Sequence, residues 1–275
     1  YRREFKMMKR RRFLATAGAS ALFACPLCAA ASSALAETKK HALDVITKEA
    51  AAGAKGPPWS YSGENGPANW GGLSPNYQIC GLGTQQSPID LKAARGTVME
   101  DLAIDYASVP LDVINNDHTI EVRTPPGSSI HIHGETYNLV QFHFHHPSEH
   151  TIDGRTFPME CHFVHAHKYG HLTVLGVFIE PGASNPTLAE IWDHLPSQHG
   201  VRKKLESVIL KPAQMLPSDR GHFRYYGSLT TPPCSETVLW TVFRQPIQAS
   251  TAQIQTFAKL FPLNARPVQR LFRRF

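Results

Sequence analysis

Two stretches of this chain most constrain its fold. In QFHFH (141–145) and MECHFVHAH (159–167), polar and apolar side chains alternate with a period of two. That is the period of a strand with one face turned to a core, and no helix places its side chains that way. Between them lie Pro147, Asp153-Gly154 and Pro158, which are turn residues. The two runs therefore predict an antiparallel hairpin. On its first strand Gln141, His143 and His145 share one face; on its second, Glu160, His162 and Val164 do. Ten of the chain's 15 histidines fall between His131 and His171, so the hairpin also raises the question of a metal.

The rest of the chain from Pro57 onward has the same texture. LDVINNDHTIEV, SSIHIHGETYNLVQFHFH, HLTVLGVFIE and TVLWTVFRQP are short apolar runs separated by Gly, Pro, Asn and Asp. Helix signals are few. Asn185–Leu195 and Thr251–Phe261 are the best, each with a capping residue nearby. There is no internal repeat and no second domain boundary. With 275 residues, 42% of them hydrophobic, the chain can bury one large core. The spacing is that of a mainly β domain.

Charge divides the chain. Of 28 Lys/Arg and 22 Asp/Glu, seven bases and one acid lie in residues 1–36, leaving 21 of each in the remainder. The body is formally neutral, so the basic balance gives no support to nucleic-acid binding. Residues 1–36 read as an export signal: a basic start, an apolar run and a small-residue exit at Ala34-Leu35-Ala36. Arg10-Arg11-Arg12-Phe13-Leu14 resembles a twin-arginine signal; an ordinary secretory signal with extra arginines is the alternative. Met7 or Met8 is the expected initiator. A lipoprotein-type box ending at Cys25 is the weaker alternative, since Phe23 fits it poorly. Thr16, Gly18, Ser20 and Ser32 interrupt the apolar run, which argues against a membrane anchor, and no other segment is apolar enough to span. Residues 37–56 form a polar lead-in, and 57–275 a single folded domain. The expected location is periplasmic or secreted.

Cys25 and Cys28 would leave with the signal. Of the three cysteines that stay, Cys161 lies in a strand pattern and reads as a buried thiol. Cys80 and Cys234 sit in Gly- and Pro-flanked loops and are the favoured pair in an exported protein, though spacing leaves the pairing open.

If the hairpin forms, His162 stands opposite His143 and His145, and three imidazoles converge. Three neutral nitrogens with one open position are the ligand set of a catalytic Zn2+, whereas a structural site closes with a fourth ligand. Gln141 and Glu160 each precede a histidine by two residues, where they can orient it. Two other readings exist. Histidines on a β protein can be exposed or satisfied core residues, and His131-Ile132-His133 is a second His-x-His. His143-x-His145-x3-Glu149 also fits the cupin metal motif, with Glu149 a direct ligand; the Pro-x-Gly turn, His and Asn of a cupin's second half are missing after Glu149.

Taken together, WSYSGENGPANW, QSPIDL, QFHFHHPSEHTIDG, MECHFVHAH and YYGSLTTPPCSETVLW resemble α-class carbonic anhydrases of the bacterial exported type. The likeness runs from Trp59 to Arg266. It implies a mainly β fold with a large central, mostly antiparallel twisted sheet flanked by short helices, zinc in a conical cleft, and reversible hydration of carbon dioxide to bicarbonate and a proton. Carried over residue by residue, it makes His143, His145 and His162 the zinc ligands, with Gln141 and Glu160 orienting them. Thr230 matches the residue that accepts a hydrogen bond from the attacking hydroxide, and Glu149 the carboxylate that takes the Thr230 proton. Val164, Val174, Leu229, Thr231 and Trp240 match the substrate slot. Asn115, Asn116 and His118 match the hydrophilic wall, with His118 as proton shuttle. Cys80 and Cys234 match a disulfide of exported members. The run from His145 to Glu149 is shorter than in animal members. The expected partners are carbon dioxide and bicarbonate, no nucleic acid, no membrane span in the mature protein, and at most a second copy of the chain as a homodimer. A non-catalytic relative would be expected to have lost zinc ligands; this chain keeps all three.

Overall fold

The computed structural model describes residues 56–92, 102–196 and 198–272. The expected signal with Cys25 and Cys28, and the lead-in up to residue 55, lie outside the described residues. The strands are β1 (Asp90–Leu91), β2 (Ala103–Asp105), β3 (Val109–Asn115), β4 (Ile120–Arg123), β5 (Ser129–Ile132), β6 (Glu135–His145), β7 (Thr151–Ile152), β8 (Met159–His167), β9 (Leu172–Pro181), β10 (Arg202–Leu210), β11 (His222–Gly227), β12 (Val238–Phe243) and β13 (Ile247–Ala249). The helices are α1 (Trp70–Leu73), α2 (Ile79–Leu82), α3 (Pro186–Trp192) and α4 (Thr251–Leu260).

The predicted hairpin is β6–β8, at the middle of the main sheet, whose order is β10-β3-β4-β6-β8-β9-β12-β11. Its register sets His143 against His162, Phe142 against Phe163 and His145 against Glu160. The turn at Asp153-Gly154 uses left-handed backbone at both residues, φ 48° and 78°, so the chain can reverse between Ile152 and Arg155. The sheet is mixed rather than purely antiparallel. β12 and β13 both lie parallel to β9, and β1 pairs parallel with β7 in a separate ribbon.

The alternation sorts side chains between two cores. Phe142, Phe144, Cys161, Phe163, Leu175 and Val177 face the larger core, under α3 and α4. Val164, Val174, Tyr225 and Trp240 face the other, at the base of a cleft. A buried side chain the size of Phe contributes roughly 2–3 kcal/mol, so a one-residue slip in β8 would exchange the two faces at a cost of many such contributions. Cys161 is a buried free thiol, as its strand position implied.

Both expected helices form. Asn185 caps α3 by accepting from Thr187 N and Leu188 N, and Ser250 and Gln253 close a capping box on α4. The one-turn helices α1 and α2 are too short to show a period. Strand β10 was also not foreseen: Lys203, Lys204 and Glu206 mask it, as charges mask many edge strands. Cys80 and Cys234 are joined, 154 residues apart in sequence, and pack with Trp70 and Tyr77 in a third cluster.

Candidate metal centre

A cleft of about 780 Å³ opens on the β6–β8 face, with His143, His145, His162, Val164, Thr230 and Trp240 among its lining. Strand β6 delivers His143 and His145, two residues apart and so on one face; β8 delivers His162 across the ladder. The three ring centroids lie 4.5–5.3 Å apart. One nitrogen from each ring falls within 4.8 Å of the others.

Each ring is fixed through its second nitrogen. Gln141 Oε1 lies 2.8 Å from His143 Nδ1, and the Asn264 carbonyl 2.7 Å from His145 Nδ1. Glu160 Oε1 lies 3.0 Å from His162 Nε2. The nitrogens left facing the cleft are Nε2 of His143, Nε2 of His145 and Nδ1 of His162. His145 Nε2 is buried with no hydrogen-bond partner. Burial, then the neighbouring His145 and His162, push the His143 imidazole well below its usual pKa. Burial also lowers His145, against the opposing pull of Glu149. Neutral imidazoles with a free lone pair are what a metal needs.

A second cluster, His150, Glu160 and His162, is also tight enough for an ion. Its chemistry differs. His150 Nδ1 lies 2.8 Å from Glu160 Oε1 and its Nε2 lies 2.7 Å from the Tyr225 hydroxyl, so both nitrogens are engaged. Glu160 Oε2 accepts from the backbone N–H groups of Glu149 and His150. Burial alone would raise the Glu160 carboxyl; the adjacent His150 and His162 hold it well below the usual range. This cluster braces His162 and offers no open position.

Glu149 is fully buried behind the histidines. Its Oε1 accepts from the Arg266 backbone N–H at 2.8 Å. Its Oε2 has no partner and lies 3.6 Å from His145 Nε2. No hydrogen bond joins it to Thr230 among the described residues. Thr230 and Thr231 line the cleft on a loop held by Leu229 N–H to Ser235 O and by Cys234 N–H to Thr231 O. Val164, Val174, Leu229 and Trp240 form the apolar wall, where Leu172, absent from the expected set, joins them. Trp240 is fixed by Nε1 donating to Ser228 O.

On the polar wall, His118 stacks on Trp59 with centroids 3.7 Å apart. Burial lowers its pKa, and the Asp117 carboxylate partly opposes that. Asn116 lines the cleft; its Oδ1 accepts from His118 N and Thr119 N and so shapes the turn. Asn115 does not belong to this wall. Only 2% exposed, it lies beneath the turn, because its side chain is drawn inward to donate to Pro196 O.

The sequence profile of eukaryotic-type carbonic anhydrases matches residues 65–275. A carbonic anhydrase of Nostoc sp. is 46% identical over 218 residues, covering 78% of this chain and 83% of its own. One of Pectobacterium carotovorum is 41% identical over 214 residues, covering 78% and 87%. The α-carbonic anhydrase of Thermovibrio ammonificans, solved in complex with the inhibitor sulfanilamide, superposes with a TM-score of 0.77 at 43% identity, covering 79% of this chain and 97% of that one. The chain belongs to the α-type carbonic anhydrase family. Its reaction is the reversible hydration of carbon dioxide to bicarbonate and a proton.

Several residues of this carbonic anhydrase escaped sequence reasoning. Asn264 is the chief one. Its carbonyl holds His145, its Oδ1 accepts from His146 N, and its Nδ2 donates to the carbonyls of His118 and Phe144. Arg266 donates to Gln86 Oε1, Ser87 O and Cys80 O, each at 2.8 Å; burial brings its guanidinium down to about 10, against the Glu149 charge. Both come from a loop more than 100 residues beyond the histidines, Asn264 lying 119 residues after His145, and nothing in their own neighbourhood announces the contact. Glu121 and Arg123, which also line the cleft as a 2.8 Å ion pair, were visible only as alternation in β4.

Proposed function

We propose that His143, His145 and His162 hold Zn2+, oriented by Gln141, the Asn264 carbonyl and Glu160, and that this centre carries the hydration of carbon dioxide. The observation that carries the reading is the buried, unpartnered Nε2 of His145, grouped within 4.8 Å of two more imidazole nitrogens at the cleft. α-Type carbonic anhydrases are zinc enzymes. Zinc bound there would supply a nucleophile at neutral pH by bringing water to a pKa of about 7, the established value for carbonic anhydrases.

The chain's own residues do the rest. Glu149 is anchored through Oε1 by Arg266, and its Oε2, unpartnered in this structure, would take the Thr230 hydroxyl hydrogen once that hydroxyl turns toward it. The Thr230 oxygen can then only accept a hydrogen bond, which orients the attacking oxygen toward the substrate carbon. Val164, Val174, Leu229, Thr231 and Trp240 frame the slot in which apolar carbon dioxide sits; water gains little by competing there. His118 removes the proton. An acid of pKa near 7 sheds a proton to water at only about 10³ s⁻¹ when recombination runs at about 10¹⁰ M⁻¹s⁻¹. The established carbonic anhydrase turnover is of order 10⁶ s⁻¹, so a relay of matched pKa is required, and an imidazole supplies it.

Residues 1–36 direct export and are cut after Ala36, leaving a short lead-in and the catalytic domain 57–275 in the periplasm or outside the cell. The Cys80–Cys234 bond supports an oxidising compartment. No helix among the described residues is long and apolar enough to cross a membrane.

The test is metal analysis of the purified protein beside an acidification assay. One equivalent of zinc, and carbon-dioxide-driven acidification that sulfanilamide stops, support the reading. Acidification that survives complete removal of zinc refutes it.

A further inference from the structure

We propose that His199, paired with Asp117 at the mouth of the cleft, is a second proton-relay station that passes the proton from His118 to buffer. The inference rests on the reading of His118 as the shuttle and extends it outward.

The geometry starts with Asp117. It lines the cleft, immediately precedes His118, and its Oδ1 lies 2.6 Å from His199 Nδ1. Its backbone is held at φ 72°, with its N–H donating to Asn115 Oδ1, so the carboxylate is presented outward by a fixed turn. His199 comes from a different segment, the loop between α3 and β10. Three hydrogen bonds fasten that loop to the His118 turn: Asn115 Nδ2 to Pro196 O, Gly200 N to Asn115 O, and Asn115 N to Val201 O. The buried Asn115 thus ties the two histidine-bearing segments together.

The two imidazoles differ in the property that matters for exchange. His118 is partly buried, with one face covered by Trp59. His199 has 70% of its side chain exposed. One carboxylate serves both: Asp117 pairs with His199 and its charge raises the pKa of His118 against burial. The remaining charged groups on this wall are already paired, Glu121 with Arg123 and Arg202 with Asp112, while Lys203 Nζ donates to Leu195 O. Asp117 is therefore the carboxylate that His118 and His199 share.

The chemistry is one proton moving twice. The N–H bond of the His118 imidazolium breaks and, with water carrying the proton between the rings, an N–H bond forms at His199 Nε2, since Nδ1 is engaged by Asp117, whose carboxylate balances the charge; a buffer base then takes the proton from His199. No oxidant or co-reactant is involved. Release of a proton from an imidazolium to bulk water is slow beside a turnover of order 10⁶ s⁻¹, so buffer must collect it, and the collection rate scales with the exposed target. An exposed, charge-balanced acceptor beside a partly covered shuttle enlarges that target.

The test uses the full zinc-loaded enzyme and the variants His199→Gln, His118→Ala and the double. In dilute buffer His199→Gln is expected to lower kcat about threefold and leave kcat/KM unchanged, because carbon dioxide attack precedes proton release. Raising the buffer concentration should restore kcat. In the His118→Ala background the same substitution should have no further effect. Unchanged kcat in dilute buffer, or an equal loss with His118 already removed, overturns the relay. A parallel fall in kcat/KM shows instead a distorted site, which also overturns it. Full zinc and normal kcat/KM in the single variant show that the metal-centre reading stands even where the relay fails.

Discussion

The floor of the cleft and its mouth are built by opposite means. On the floor, His143, His145 and His162 stand on two long paired strands of the sheet, and the Nδ1 atoms of His143 and His145 are each held by a named acceptor. At the mouth, His118 and His199 stand on a turn and a loop, held by asparagine side chains and backbone bonds, and their rings meet solvent or another ring face. A metal centre needs ligands fixed to a fraction of an ångström, which a buried ladder supplies. Proton exchange needs access and a matched pKa, which a ladder would deny. The difference teaches that one catalytic cycle draws on rigid and exposed parts of the fold for different steps.

The comparison breaks most severely if the floor tolerates loss of a ligand. His145→Ala is expected to lose zinc and lower carbon dioxide hydration by on the order of 10³-fold or more, read by metal analysis and stopped-flow acidification. Retained zinc and activity would mean that the ion sits elsewhere.

Glu149→Gln separates orientation from ligation. We expect full zinc and kcat lower by about 10²-fold, because Thr230 loses the acceptor that directs its hydrogen. Loss of zinc with all three histidines intact would make Glu149 a ligand, as its 3.6 Å approach to His145 would then imply.

Glu160→Gln acts one step further out. It removes the charge that braces His162 and takes two backbone N–H groups, and is expected to weaken zinc affinity about 10–100-fold, measured by chelator competition. Unaltered affinity would deny the floor its dependence on the buried carboxylate.

At the mouth the effects are smaller and kinetic. His118→Ala should lower kcat about tenfold in dilute buffer, spare kcat/KM, and be rescued by imidazole. Asp117→Asn should move the acid limb of kcat to lower pH. The sign follows from the groups: burial already lowers His118, Asp117 opposes it, and removing the carboxylate lets the pKa fall further, so the neutral acceptor persists into more acid solution. A shift to higher pH would show that Asp117 does not act on His118 through its charge.

The alternation of QFHFH and MECHFVHAH contained the hairpin, its register and the convergence of three imidazoles, because a period-two pattern leaves a strand only one way to bury its Phe and Cys side chains. Asp153-Gly154 placed the turn, and the capping residues Asn185 and Ser250 placed the two principal helices. The resemblance of five motifs supplied the roles of Glu149, Thr230 and His118, which spacing could not. Sequence also left β10 hidden under lysines and set Asn115 on the wrong side of its turn.

What sequence determined by itself is therefore everything local: which faces of β6 and β8 carry nitrogen, and which residues end each element. Tertiary structure alone decided the contacts made across the chain. Asn264 reaches back 119 residues to fix His145, Arg266 reaches Glu149, and the segment 198–201 brings His199 to Asp117. Such contacts join backbone carbonyls, amides and single side chains whose own surroundings carry no periodic signal. They exist only once the sheet has twisted and its loops have closed over the cleft, and it is they that fix the orientation of the convergent histidines.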